Sequence, residues 1–475
     1  MFVRYSILLP VAFLVSGVLG SDLHAAVSPP RDGVQGRSQA PVPALSQGEW
    51  RGTLGISSLS YANIGSELQR SQFTVARLRG QYASVGSEIE TQVDARLGLG
   101  LDCGLACSSV EFPQISIGSS RRLGPVSLHV GRILLPWSLV DDEWAMGVFQ
   151  PRFIYDFLHP QKVGLAGGFL QFRSADLQLT VFAAPGFVPD RSLPVNVENG
   201  RIGSIDPFFH TPISEVNYEG TTTPIAYHLN RGSLSELLLR PAAGVTAQWG
   251  GEEGFSASTS YAYKPVNQVL LAYNNLYNLS FEVADADIYP RVVMHHAAAA
   301  DLRYSVSRAT GTLSVIREVP VMDRVPSEWT SQQLAPAWIL SPQISWRGRE
   351  SFESSASYLR VDGGNAPDLR SGSGPKLVGD GSVFNPRYPF TSALKFSASD
   401  LFWKRGERSL GWKSQVILDL EHRAQAYLHS VAYQPSARWQ LRLATDILVS
   451  ASNGSDFISR NRANDRFFGA VNYVF

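Results

Sequence analysis

Cysteine is almost missing from this chain: Cys103 and Cys107 are the only two in 475 residues, so no disulfide framework can hold it together. Charge is scarce and balanced, with 41 basic and 41 acidic residues making up 17% of the sequence. No field of one sign is available to collect nucleic acid or an acidic polymer. Long apolar runs are lacking after the first twenty residues, although 44% of the residues are hydrophobic. No later stretch approaches the ~20 apolar residues a transmembrane helix needs. Catalytic signatures are absent too: there is no G-x-S-x-G, no H-E-x-x-H, no phosphate-binding G-x-x-x-x-G-K-[ST] and no dinucleotide fingerprint. His295 and His296 are adjacent, which on a strand points them to opposite faces and suits no single metal. His429 and Ser430 are separated in the same way, so they make no lipid-facing Ser–His pair of the kind a barrel phospholipase presents. No enzyme activity is expected.

The one long apolar run, Ser6 to Gly20 behind Arg4, is followed by small residues around Gly20, Ala25 and Ala26. It reads as a Sec-type signal peptide over residues 1–26, with no cysteine after it to carry lipid. Residues 27–47 are rich in Pro, Ser, Gln and Gly without periodicity and read as a flexible leader. Residues 48–475 form the remaining unit, and no solenoid-type repeat divides them.

What fills that unit is alternation. Ile89, Thr91, Val93, Ala95 and Leu97 share one face of a strand, and Glu88, Glu90, Gln92, Asp94 and Arg96 share the other. Trp439, Leu441, Leu443, Thr445, Ile447 and Val449 likewise oppose Arg438, Gln440, Arg442, Ala444 and Asp446. Eighteen such segments can be placed, near 49–60, 71–83, 87–98, 109–119, 124–133, 164–173, 176–184, 242–250, 254–264, 292–305, 310–318, 335–347, 351–361, 390–401, 411–421, 423–434, 437–449 and 464–475. Short turns such as Ser174 to Ala175 mostly alternate with long connections at about 134–163, 185–241, 265–291, 362–389 and 450–463. The alternation breaks around His422, where a long loop is due and almost no connection is left.

The last strand, Asn464 to Phe475, sets Phe467, Gly469, Val471, Tyr473 and Phe475 on one face and ends on an aromatic. It resembles the closing strand of bacterial outer-membrane β-barrels, the porin-like superfamily, in which such a strand is the signal read by the assembly machinery. The resemblance covers about ten residues and names no particular family. It implies an all-β fold: a transmembrane antiparallel β-barrel of about 18 strands (16–18), with short periplasmic turns and long extracellular loops, in the outer membrane of a Gram-negative bacterium. A strand in lipid must satisfy its backbone groups laterally, so the sheet has to close. The apolar faces then meet lipid, where a Lys or Arg near the midplane costs roughly 2–4 kcal/mol. Trp50, Tyr61, Tyr82, Trp249, Tyr261, Tyr263, Trp346, Trp412, Trp439 and Tyr473 lie near strand ends, where interfacial girdles form.

A barrel of this size encloses an aqueous channel unless loops fill it. Its polar faces carry Arg77, Arg79, Glu88, Glu90, Asp94, Arg96, Asp301, Arg303, Lys413, Asp419, Glu421, Arg438, Arg442 and Asp446. These are candidate pore-lining charges, or paired braces within the barrel. Their mixed signs argue against a strongly anion-selective pore, which needs a cluster of Arg or Lys. The loop from about Pro185 to Pro241 is the candidate constriction, or else a solvated cover over the mouth. Cys103 and Cys107 read as a disulfide stiffening an extracellular loop. No cofactor is expected, although Asp141-Asp142-Glu143, Asp285 with Asp287, and Asp362 with Asn365 and Asp368 offer oxygen ligands for Ca²⁺. Expected partners are outer-membrane lipid, the barrel assembly machinery and a small polar solute, with a periplasmic protein reached through the leader. Three functions fit: a passive or weakly selective channel for small polar solutes, an export conduit or envelope-complex barrel, for instance for polysaccharide, and a soluble exported carbohydrate-binding β-protein.

Overall fold

The computed structural model describes residues 49–475 apart from 63–70, 86–87, 121–122, 210–213, 219–220, 231, 233, 279–282, 323–325, 327–328, 349–350, 365–368, 371–386 and 452–455. The segments read as signal peptide and leader therefore lie outside the described residues. Eighteen strands make one sheet: β1 (Glu49–Tyr61), β2 (Gln72–Val85), β3 (Ile89–Gly100), β4 (Ser109–Ser119), β5 (Val126–Ile133), β6 (Leu165–Arg173), β7 (Leu177–Ala184), β8 (Ala242–Trp249) and β9 (Gly254–Pro265) form its first half. The second half is β10 (Met294–Val306), β11 (Ala309–Val321), β12 (Ala337–Arg347), β13 (Glu353–Gly363), β14 (Ser392–Arg405), β15 (Arg408–Asp419), β16 (Ala424–Gln434), β17 (Trp439–Ser450) and β18 (Arg466–Val474). Each strand pairs antiparallel with its neighbours in the chain. β1 also pairs with β18, from Thr53 against Val474 to Tyr61 against Arg466, and this closes the barrel.

Side chains follow the two-residue period around the ring. On β10, His295, Ala297, Ala299 and Asp301 are buried inside, while His296, Ala298, Ala300 and Leu302 are exposed outside. The outer face carries Leu54, Ile56, Ile117, Leu128, Val130, Leu302, Ile344, Phe396, Leu443 and Phe467, each between 44% and 69% exposed. Apolar surface continuous around a closed ring is what a hydrocarbon solvent demands and water does not tolerate. The soluble two-sheet alternative is thereby excluded. Aromatic pairs mark the rim of short turns: Trp50 on Tyr82 (4.5 Å), Trp249 on Phe255 (5.9 Å), Phe402 on Trp412 (6.1 Å) and Trp439 on Tyr473 (5.1 Å). Tyr61 departs from the expected girdle: it faces inward, 7% exposed, against Phe73.

The short connection expected at His422 is present, and the strands before it run longer than their pattern. β14 runs on to Arg405 and turns back at Arg408, with Gly406 at a φ of 60° that glycine adopts without strain. The connection after Asp419 is four residues, 420–423, and lies on the rim of the long loops. The turn rim and the loop rim keep their order around the ring; one member of the loop rim is simply short. Among the described residues the connections hold three short α-helices, α1 (Leu139–Trp144), α2 (Leu234–Leu238) and α3 (Phe457–Asn461). Six short strands from four long connections (Glu215–Tyr218, Thr221–Leu229, Leu270–Asn278, Val283–Arg291, Thr330–Gln332 and Leu369–Arg370) build a second sheet beyond the loop rim.

Candidate functional site: the lumen and the loop folded into it

The connection between β5 and β6 enters the lumen, and part of the 185–241 segment packs on the inner wall as well. Entry of the β5–β6 connection is set by Asp301 on β10, whose carboxylate accepts from Leu139 N (3.3 Å) at the start of α1 and from Ser258 Oγ (2.9 Å) on β9. Negative charge is favoured there by the unpaired amides of a helix start. Val140 N donates to Ser314 Oγ (3.1 Å) on β11, Trp144 Nε1 to Ser341 Oγ (3.2 Å) on β12, and Glu143 pairs with Lys395 Nζ (2.7 Å) on β14. The helix thus leans on four strands of one wall. Asp141 folds the chain back by accepting Val148 N and Phe149 N, both at 3.0 Å.

That wall admits a loop because its inner residues are small. Ala242, Ala262, Ala297, Ala299 and Ala337 surround Trp137, which stacks on Phe149 with centroids 5.6 Å apart. A Cβ added at Gly244 would sit 3.1 Å from the Trp137 ring. The small residues on the interior face, Ala297 and Ala299 among them, are the signal that could have identified the inserted loop from sequence. The 185–241 segment contributes to the outer sheet and also reaches inward: Asp190 holds Arg152 (2.7 Å), and Phe208, buried among Ala393, Ile417, Ala424 and Leu448 of the barrel wall, stacks on Phe157 (5.8 Å) and Phe457 (6.1 Å).

The other wall carries the cations. Arg51, Arg77, Arg79, Arg96, Lys413 and Arg442 take the inward positions of β1, β2, β3, β15 and β17, with Lys395 of β14 at the border between the two walls. Some are neutralised locally: Asp94 binds Arg79 (2.7 Å) and Arg96 (3.0 Å). Arg77 and Arg442 form no ion pair among the described residues, and Arg77 is exposed although it faces inward. Of the other charges read as lumenal, Glu90 and Arg303 face inward as well. Asp301, Asp419 and Asp446 also face inward but are buried beneath loops, at 2–3% exposure, and so are withdrawn from the open lumen. Asp446 is held by Arg466 (2.7 Å) and His159 (3.0 Å). Three do not face the lumen: Glu88 precedes β3 at an exposed turn, Glu421 is exposed in the 420–423 connection, and Arg438 lies in the turn before β17 against Tyr473 OH (3.4 Å). At a strand's end the alternation that assigns a face no longer applies.

Of the acidic groups considered for Ca²⁺, Asp142 binds Lys162 (2.5 Å), Glu143 binds Lys395 and Asp285 binds His228 (3.1 Å). Asp287 is half-buried and Asp362 is exposed at the end of β13, while Asn365 and Asp368 lie outside the described residues. Cys103 and Cys107 are disulfide-bonded in the connection after β3. Phe467 and Phe475 are exposed on the outer face at 61% and 66%, with Tyr473 half-buried beside them. The outer face also brings Ser414 Oγ to 2.9 Å from His429 Nδ1 across β15 and β16, a pair that adjacency in sequence conceals. No carboxylate bonds that imidazole among the described residues, so the third member of a hydrolytic triad is not in place.

Burial is the main reason the carboxyl of Asp142, on the inserted loop, is pushed up to about 6; Lys162 opposes the shift, and Asp141 and Asp301 add to it. The ordinary value is 3.8, so the folded chain binds this proton more tightly than the unfolded chain. The resulting stabilisation is complete below about pH 4 and is lost as pH rises through about 6, to a limit of roughly 3 kcal/mol. Thermal unfolding midpoints measured from pH 4 to 7 are expected to fall across that window, and Asp142→Asn to remove part of the slope. An identical slope in the variant would assign the titration elsewhere, Asp206 being the other loop carboxyl that burial raises to about 6.

No family model and no curated protein matches this chain. Solved structures similar to it include Pseudomonas aeruginosa OccK11 (OpdR), 12% identical with a TM-score of 0.45, over 91% of this chain and 97% of that one. The P. aeruginosa OccK2 (OpdF) complex with glucuronate is 11% identical with a TM-score of 0.46, over 90% and 97%. Acinetobacter baumannii OccAB3 is 11% identical with a TM-score of 0.45, over 90% and 98%. Independently of these, lateral closure of every strand, an apolar outer face around the whole ring, an aromatic rim and a charged interior have one solvent arrangement in common, and the chain is an 18-stranded β-barrel of the bacterial outer membrane.

Proposed function

We propose that the barrel is a channel for passive passage of small polar solutes, with a mild preference for anions. The observation that carries this reading is Arg77, a cation that faces the interior and is nonetheless exposed, so water reaches the inside of the barrel along β1 to β3. The passage runs between the inserted loop and the cationic wall. A crossing of that kind favours small solutes over a polymer, which is why a channel is preferred here to an export conduit. Neutralised pairs such as Arg79–Asp94 keep the preference mild. A unit charge about 7 Å from the path contributes about 0.6 kcal/mol at water-like dielectric, roughly threefold in local anion concentration.

Single-channel recordings under a salt gradient test this. The wild type is expected to conduct in steady steps with a reversal potential on the anion side. Arg77→Gln and Arg442→Gln should each move that potential toward the cation side. A folded, heat-modifiable barrel that passes no current would overturn the reading, and a reversal potential unmoved by both variants would remove the assignment of the path.

A further inference from the structure

At the loop rim, three side chains that the lumen does not use come together. Asp419 ends β15, His422 lies in the four-residue connection after it, and Asp456 precedes α3 in the connection between β17 and β18. One donor atom from each lies within 4.8 Å of the others, and Asp419 Oδ2 stands 3.0 Å from His422 Nδ1. Asp419 and Asp456 are 2% and 8% exposed. No lysine or arginine forms an ion pair with either carboxylate among the described residues.

The second observation is an orphaned oxygen. Asp456 Oδ1 accepts the Ser459 amide (3.0 Å), but its Oδ2 is buried without a hydrogen-bond partner. Asp419 is divided in the same way: Oδ1 takes the amides of Glu421 (3.0 Å) and His422 (3.2 Å), which leaves Oδ2 turned to the imidazole. Each carboxylate is thus oriented through one oxygen by backbone amides and presents the other, as outer-shell hydrogen bonds do around a metal. Donors bound about 2.0–2.2 Å from one ion stand roughly 3 to 4.4 Å apart, so the cluster needs only a small contraction.

We propose that Asp419, His422 and Asp456 bind one divalent transition-metal cation, with water completing its shell. Two carboxylates alone would suit Ca²⁺ or Mg²⁺, and the imidazole shifts the preference to Zn²⁺ or Mn²⁺. The ion joins the β15–β16 connection to the β17–β18 connection. α3 is carried on the latter, and its Phe457 stacks on Phe157 (4.8 Å) and meets Phe390 edge-on (6.3 Å). Binding therefore fixes one side of the mouth, whatever the lumen conducts.

The full-length barrel, purified in detergent, stripped with chelator and checked for heat-modifiable mobility, is titrated with Zn²⁺ by calorimetry. One saturable site per chain is expected, at least tenfold weaker in both Asp456→Asn and His422→Gln. Asp456→Asn keeps an oxygen for the Ser459 amide and His422→Gln keeps a polar side chain beside Asp419, and heat-modifiable mobility equal to the wild type shows that each variant folds. His228→Gln, in the outer sheet, should bind as the wild type does. Zn²⁺ should also raise the thermal unfolding midpoint of the wild type and of neither cluster variant. Absence of a saturable site, equal affinity in Asp456→Asn, or Ca²⁺ binding more tightly than Zn²⁺ would overturn the assignment.

Discussion

Replacing residues 139–147 by a Gly-Ser linker should raise single-channel conductance at least roughly twofold, because a helix with its side chains fills a cylinder about 10 Å across in a barrel that is otherwise wide enough for an aqueous channel. The barrel itself does not depend on the removed residues, since every strand is laterally paired and β1 closes on β18. What is lost is the set of contacts that pin α1 to one wall: the amides on Asp301 and Ser314, the Trp144 indole on Ser341, and the Glu143–Lys395 pair. Lys395 would then join the cations open to the lumen, so the excised channel should also favour anions more strongly. Both changes can be read in one bilayer experiment. Unaltered conductance in a folded barrel would mean that the solute path avoids the inserted loop, and the cationic wall would have to be reassigned with it.

How far the sequence carried the fold follows from which forces act locally. Alternation is imposed residue by residue by two solvents, lipid and lumen, so all eighteen segments placed by pattern coincide with strands, including β5, β10 and β12, where the pattern is faint. Boundaries suffered where a strand outran its pattern. β14 continues past Leu401 through an irregularity to Trp403, and the turn at Gly406 was hidden by the exposed aromatics before it. The lumen was legible by face and not by partner. Asp94 sits two residues from Arg96, whose cross-strand partner is Arg79, and such neighbours can be paired by eye. Asp301 and Ser138 are 163 positions apart, and only closure of the barrel brings them together. The β5–β6 connection was missed as a lumen loop for a related reason. Length drew attention to 185–241, whereas the space that accepts a loop is made by alanines on distant strands. The Asp419, His422 and Asp456 cluster joins two connections whose adjacency is a property of the closed ring.

Glu318→Ala should cost the barrel roughly 3–5 kcal/mol, the penalty for leaving a buried charge without its partner. Glu318 is fully buried on the inner face of β11, where it accepts from Arg387 Nη1 (2.6 Å) and Nη2 (2.5 Å), from Tyr388 OH (2.5 Å) and from His295 Nδ1. Arg387 and Tyr388 belong to the connection between β13 and β14, so this carboxylate holds a mouth loop down on the barrel wall. Lys264 lies in the same layer, with its ammonium on Asn267 Oδ1 (2.7 Å) and the Pro265 carbonyl (2.6 Å). Removing the acid therefore leaves a guanidinium confined next to a second cation. The chain can respond in two ways that differ in their consequences. If Arg387 stays, the whole penalty appears as a lower unfolding midpoint. If the loop lifts, the guanidinium regains water, the midpoint falls less, and the mouth opens with higher or noisier conductance. The double variant Glu318→Leu with Arg387→Leu separates the pair's net worth from the cost of breaking it: removing both charges together should restore most of the lost stability, because a buried ion pair contributes little over an apolar pair of similar volume. A single variant that alters neither midpoint nor conductance would show that the mouth loop is held by its apolar contacts, with Tyr388 and Phe390 against the cluster around Trp144, and that the charges only decorate it.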